Sequence, residues 1–261
     1  MLHARLRDAY SQLQKDLEAA AVIQRTMLPP SSMVEGVEYR GLFRPSSLIA
    51  GDTYNVVRRN DGAVGFFQVD VAGHGAPAAL VSVACHHALS QAILTRTQGT
   101  PLEEIAGYIN EEWPEDLPYF TMILGEIDAR SRRASIIQAG HPSPLVIRSD
   151  GAVEVIGDGG FPVGMIPSAS YEKLEFDLGP GDRLLIYSDG LIEAEGQDGE
   201  QFSEARLRKL VRETAAEPSS VLLDRLDDAL RNWRGSETLD DDLSVLMLER
   251  LAERTPGDAV H

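Results

Sequence analysis

Apolar residues along this chain keep two different rhythms. Over "MLHARLRDAYSQLQKDLEAAAVIQRTML" a seam recurs at spacings of four and three: Leu6, Tyr10, Leu13, Leu17, Ala20, Gln24 and Met27. That is a heptad pattern in a stretch of strong helix formers without Gly or Pro, and it predicts one N-terminal helix over residues 1–30. "PPSS" (Pro29 to Ser32) stops it. Three readings stay open: an amphipathic helix laid on its own domain, a short coiled coil joining two subunits as a homodimer, or a connector from a longer protein. Polar Gln24 on the seam decides among none of them.

After the stop the rhythm changes. "VEYRGLFRPSS", "VGFFQVD", "YFTMILGEID", "RASIIQAG", "PLVIRS", "KLEFDL", "DRLLIYSD" and "LSVLMLER" are rich in Val, Ile, Leu, Phe and Tyr, and "NDG", "SDG" and "GPGD" punctuate them. These predict strands. Helices are expected over Ala76 to Thr97, Pro101 to Glu112 and Ser203 to Arg234. Runs of strands broken by a few helices argue against a doubly wound parallel sheet and for an α+β layered architecture. The expected organisation is a helix over 1–30, one domain over 31–251, and a flexible tail over 252–261.

Composition narrows the function classes. The 261 residues, 43% hydrophobic and 25% charged, suffice for a sizeable core. With 41 acidic residues against 24 basic, the net charge is −17, so a phosphate backbone would be repelled and no nucleic-acid partner is expected. The single cysteine, Cys85, excludes an internal disulfide and a cysteine-based zinc cluster, and is expected buried and inert in a helix. No apolar run reaches the about 20 residues that cross a bilayer, and the charged N-terminus is unlike a signal peptide. The expectation is a cytoplasmic protein without a membrane partner.

Candidate chemistry lies in four acids: Asp52 in "LIAGDTYN", Asp70 in "FFQVDVAGHG", Asp189 in "LLIYSDGLIEA" and Asp241 in "ETLDDDLSVLML". Each ends or begins an apolar strand beside glycine or another acid. A carboxylate there must be paired or must coordinate something, and few bases stand nearby. Carboxylates without Cys or His are hard oxygen ligands that suit Mg²⁺ or Mn²⁺ better than zinc. One "SDG" is only a turn; four such sites ask for a common cause.

Seven blocks, "AAVIQRTMLPP", "AGDTYN", "DVAGHGAPAAL", "QAGHPSPLVI", "GFPVGM", "GDRLLIYSDGLIEAEGQDGEQF" and "DDDLSVLML", stand in the order found in the SpoIIE-type (RsbU-like) protein phosphatases. The chain resembles that family, the bacterial branch of the PPM metal-dependent Ser/Thr phosphatases, over roughly residues 20 to 250. The resemblance implies an αββα sandwich, two packed antiparallel sheets flanked by helices. It implies two ions, Mn²⁺ or Mg²⁺, bridged by Asp70, with Val71 lending a backbone carbonyl. Asp52, Asp189 and Asp241 complete the implied metal set; Asp240 and Asp242 leave its last position open by one residue. Asp70 and Asp189 are the implied catalytic carboxylates. The implied reaction is hydrolysis of phosphoserine or phosphothreonine by an activated water, with no phosphoenzyme. The implied substrate is a phosphorylated partner protein such as an anti-sigma-factor antagonist in a partner-switching circuit, with an input domain or protein upstream.

The chain departs from the family pattern at Asn55, where an acid is usual, and at Ser244, where Thr is. No arginine matches the one that holds phosphate in eukaryotic members. Asn55 lends weight to a rival reading, a phosphatase-like module that sequesters a partner without turnover. A nucleotide phosphodiesterase is a third. Bland expectations cover the rest: His74 a turn residue bonding backbone at the helix start, His141 a turn histidine, His86 at the surface and His87 partly buried. Gly73 and Gly75 let the chain turn, Asp182 is a turn acid, and Glu193, Glu195 and the run Glu111 to Asp116 are solvated.

Overall fold

Strand β4 (Val64–Val71) shows how the layers are built. Its alternate side chains part to opposite faces. Val64 and Phe66 enter one buried cluster, while Phe67, Val69 and Val71 enter another. Such a strand, buried on both faces, can only be central, and the continuous "VGFFQVDV" run reflects that.

The computed structural model describes residues 2–95, 100–128 and 130–252. Two antiparallel sheets pack face to face. One places β4 between β3 (Thr53–Arg58) and β5 (Phe120–Ile127), followed by β6 (Arg133–Ala139) and β9 (Lys173–Asp177). The other runs β1 (Ser32–Val34), β2 (Val37–Arg44), β11 (Leu243–Arg250), β10 (Arg183–Tyr187), β7 (Leu145–Ile147) and β8 (Val153–Val155). Between them lies a core of Val64, Phe66, Ile123, Ile136, Ile186 and Leu246 among others. Helices α2 (Ala76–Thr95) and α3 (Leu102–Glu111) cover the first sheet. The four-residue α4 (Asp189–Ile192), with α5 (Ser203–Glu213) and α6 (Ser219–Arg234), covers the second. This is the expected α+β arrangement of helix, sheet, sheet and helix layers. Gly125 is obligatory at one close approach: a Cβ there would strike the Phe66 ring.

Several expectations need correction. The single helix foreseen over Ser203 to Arg234 is two, because Pro218 cannot continue α5 and instead precedes α6. Strands β1, β3 and β8 lay outside the foreseen set. Arg96 and Thr97, the foreseen end of α2, and all of the foreseen tail beyond Ala252 lie outside the described residues. Helix α2 is itself long and apolar enough to cross a membrane by length and composition, contrary to the sequence reading. Here it lays Ala78, Val81, Cys85, Leu89 and Ile93 against the first sheet.

Helix α1 (Leu2–Met27) packs on the domain from Leu17 onward. Leu17 and Ala21 pack on Ile49 and Ala79, and buried Gln24 brackets the Ala50 peptide, donating to its oxygen at 2.6 Å and accepting from its nitrogen at 2.9 Å. Ala20 of the foreseen seam is exposed and Ala21 takes the buried place. Leu6, Tyr10 and Leu13 are 67%, 70% and 55% exposed, so its own domain does not cover the seam's first half.

Candidate metal centre

Antiparallel pairing fixes where the acids meet. Thr53 lies opposite Val69 and Asp70 opposite Thr121, so Asp52, just before β3, comes beside Asp70 at the end of β4. In the other sheet Tyr187 lies opposite Val245, which sets Asp189 beside the residues that lead into β11. All four strand ends open at one edge of the sandwich. The carboxylates sense one another there. Asp70 feels the charges of Asp52, Asp189 and Asp241, and Asp241 those of Asp189, Asp242 and Glu193.

Asp52 is 1% exposed. Its Oδ2 accepts a hydrogen bond from the Ser244 hydroxyl at 2.6 Å. Burial pushes its carboxyl up to about 7; the Ser244 bond opposes that shift, and the charge of Asp242 adds to it. Asp70, which keeps an opening to solvent, is pushed up to about 10, first by desolvation and then by the charges of Asp52 and Asp189. Burial also raises Asp241, followed by Asp189. No ion pair reaches Asp52, Asp70, Asp189 or Asp241 among the described residues.

Hydrogen bonds separate the three consecutive acids. Asp240 pairs with Arg234 at 2.9 Å. Asp242 is occupied by the loop before β3: Oδ1 accepts from the Ser46 amide and hydroxyl, and Oδ2 from the Gly51 amide at 2.7 Å. Asp241 has no such partner among the described residues: one oxygen accepts from the Asp242 amide, and its carboxylate senses Asp189. Gly51 matters for a second reason. A Cβ on it would stand 3.0 Å from the Val71 carbonyl oxygen, so glycine keeps that approach open.

A divalent cation suits this donor set. The donors are carboxylates with a carbonyl at hand, and their mutual repulsion is relieved by positive charge. Among the described residues no three His, Cys, Asp or Glu side chains stand close enough to form a finished cage.

Neighbouring residues correct the sequence reading in places. Asn55 faces away from the acids: its amide donates to Ser90 at 2.9 Å and meets His86. His86 is buried, bonds Thr53 at 2.8 Å and is pushed down to about 4 by burial, whereas His87 is exposed, the reverse of expectation. His141, 1% exposed, pairs its Nδ1 with Thr121, and burial lowers it to about 3. His74 stands exposed and bonds nothing among the described residues, so the foreseen backbone contact is absent. Gly73 and Gly75 do take positive φ, 95° and 78°. Asp182 is a turn acid, as foreseen. Glu193 and Glu195 are exposed, as foreseen, and line a cleft of about 290 Å³ with Asp241 and Arg234. Ser46, Ser188 and Gln68 went unnoticed in the sequence; Gln68 could have been found from sharing the strand face of Asp70.

Known proteins bear on this site. The profile of the Stage II sporulation protein E (SpoIIE) family matches residues 60–251. Phosphoserine phosphatase RsbP of Bacillus subtilis (strain 168) is 23% identical over 243 residues, 90% of this chain and 58% of that protein. Phosphoserine phosphatase RsbU of the same organism is 22% identical over 250 residues, 95% of this chain and 74% of that one. This chain thus spans little more than half the length of RsbP. Among solved structures, the SiaA-PP2C domain of Pseudomonas aeruginosa shares the fold with a TM-score of 0.79, at 24% identity, covering 92% of this chain and 98% of that one. The fold is therefore that of the PP2C domains, and the chain belongs to the SpoIIE family.

Proposed function

We propose that this chain is a metal-dependent protein phosphatase that hydrolyses phosphoserine or phosphothreonine on a partner protein. One observation carries the reading: strand pairing brings carboxylates from four separate chain segments to one sheet edge, where burial first and neighbouring charge second raise Asp52, Asp70 and Asp241, and among the described residues no ion pair reaches them. Asp52, Asp70, Asp189, Asp241 and the Val71 carbonyl would hold Mn²⁺ or Mg²⁺, two ions in the reading that the family implies. Bound there, the ions supply Lewis acidity, which lowers the pKa of a water and draws charge from phosphoryl oxygens.

The chain's own groups do the rest. Ser244 holds one Asp52 oxygen, and Asp242 fixes the loop that delivers Asp52, so the carboxylates are placed before substrate arrives. Asp70 and Asp189, at the open edge, are the carboxylates nearest to catalysis in this reading. A cysteine nucleophile is unsuited: Cys85 is buried in α2 and its thiol is pushed up to about 12 by burial. Asn55, engaged with α2, no longer favours a module without turnover.

RsbP and RsbU are phosphoserine phosphatases by name, which supports a phosphoprotein substrate. A small antagonist of an anti-sigma factor, in a cytoplasmic partner-switching circuit, is the substrate proposed. The uncovered stripe Leu6, Tyr10 and Leu13 of α1 supports docking of a second copy or of an upstream regulator. Hydrolysis of a phosphoserine protein with Mn²⁺, abolished by a chelator, is the expected result. Binding of that protein without turnover at any Mn²⁺ concentration would replace this reading with sequestration.

A further inference from the structure

Below the carboxylates, a polar chain crosses the layer between the sheets. Gln68 of β4 points the same way as Val64 and Phe66 and is fully buried. Facing it from β11 is Ser244, also fully buried. The Gln68 side-chain nitrogen donates to the Ser244 carbonyl at 3.0 Å and to its hydroxyl oxygen at 2.8 Å. A carbonyl can only accept, so the amide must present Nε2 here and not Oε1. With a donor already on its Oγ, the Ser244 hydroxyl turns its hydrogen toward Asp52 Oδ2, 2.6 Å away. The Ser244 amide donates to Ser188 Oγ at 3.0 Å and pins the strand end. Direction therefore runs from Gln68 through Ser244 to Asp52.

Gln68 Oε1 lies buried and has no hydrogen-bond partner among the described residues. An apolar side chain would fill this position between Phe66 and Ile123 without leaving an acceptor unmet. What the amide adds is orientation of the serine hydroxyl.

We propose that Gln68 and Ser244 are positioning residues that set the Asp52 carboxylate and thereby the affinity of the chain for its divalent cation. The inference rests on the metal-centre reading given under the proposed function. A carboxylate with one oxygen held by a short hydrogen bond keeps its rotamer and leaves the other oxygen for a ligand.

Calorimetric titration of the full chain with Mn²⁺ tests this without reference to turnover. The set is wild type, Asp70→Asn, Gln68→Met, Ser244→Ala, the Gln68→Met/Ser244→Ala double variant and Ser244→Thr, each shown folded by circular dichroism. Gln68→Met and Ser244→Ala are each expected to weaken Mn²⁺ binding about tenfold. The double variant should bind no more weakly than the worse single, because the two act in series. Ser244→Thr, which keeps the hydroxyl, should hold wild-type affinity. Should Gln68→Met not fold, the Ser244→Ala and Ser244→Thr pair decides. Affinities within about twofold of wild type for both single variants, or losses that add in the double, overturn the relay. A wild type that takes up no Mn²⁺, or an Asp70→Asn protein that binds as tightly as wild type, overturns the metal-centre reading instead.

Discussion

Two buried aspartates in this molecule are treated in opposite ways. Asp182, at the turn before β10, is 7% exposed and Asp52 is 1% exposed. Burial works against the charge of Asp182 too, but the Gly179 and Ser149 amides and the Arg148 guanidinium at 2.9 Å hold its carboxyl below the usual range. Asp52 receives a serine hydroxyl and three acidic neighbours, and its proton is held on. The far end of the first sheet follows the rule of Asp182: buried Arg59 pairs with Asp61 and Glu126. At the edge where Asp52, Asp70, Asp189 and Asp241 meet, no such ion pair is found among the described residues. Stability alone would not keep these acids there; a ligand that carries the missing positive charge would.

The sharpest way to break this contrast is to remove one charge from each side of it. Asp70→Asn should reduce phosphatase activity by more than the ~100-fold that a residue acting through a ligand costs. The same change should raise the melting temperature of the chelator-treated protein at neutral pH, since folding no longer has to keep a proton on this buried carboxyl. Asp182→Asn should do the reverse. About 2 to 3 kcal/mol of stability should be lost, read as a drop of roughly 4 to 12 °C in a thermal melt, with activity per folded molecule little changed. If Asp70→Asn melts lower than wild type in chelator, the acid edge is not under strain.

The two sites should also respond to pH with opposite sign. Asp52 binds its proton more tightly folded than unfolded, so its contribution is full below about pH 4 and is lost as pH rises through about 7. Asp70, raised further, extends that loss to higher pH. Asp182 contributes above the ordinary carboxylate range, and that stability is lost as pH falls through its lowered value. Chelator-treated protein should therefore melt progressively lower from pH 5 to pH 8, by about 1.4 kcal/mol per pH unit for each group titrating. Saturating Mn²⁺ should flatten the slope. Parallel slopes with and without the cation would contradict the account.

The smallest effect concerns α1. A chain starting at Ser31 loses Leu6, Tyr10 and Leu13 but also the Gln24 clamp on Ala50. Light scattering should show the full chain at twice its monomer mass and the shortened chain as a monomer. Equal masses would leave the exposed stripe for another partner.

Much of the acid edge was legible because an aspartate that ends an apolar strand is costly unless something receives it. Asp52, Asp70, Asp189 and Asp241 all fit that description. The tie-breaking among Asp240, Asp241 and Asp242 was not legible, since it depends on Ser46 and Gly51 arriving from nearly two hundred residues away. Strand β3 was overlooked because Asn55 interrupts its apolar pattern, and only the packed structure shows Ser90 and His86 of α2 receiving that amide. His86 and His87 were exchanged for a related reason. The buried stripe of α2 passes through Ser82 and His86, polar residues that hide the helix phase. The break at Pro218 was in plain view and should have divided the last helix.

The central claim is that the acid edge exists to receive divalent cations. Diffraction from crystals grown with Mn²⁺, measured for its anomalous signal, tests that most directly. The account predicts density enclosed by Asp52, Asp70, the Val71 carbonyl, Asp189 and Asp241. Manganese bound elsewhere, with these carboxylates left unliganded, would contradict it.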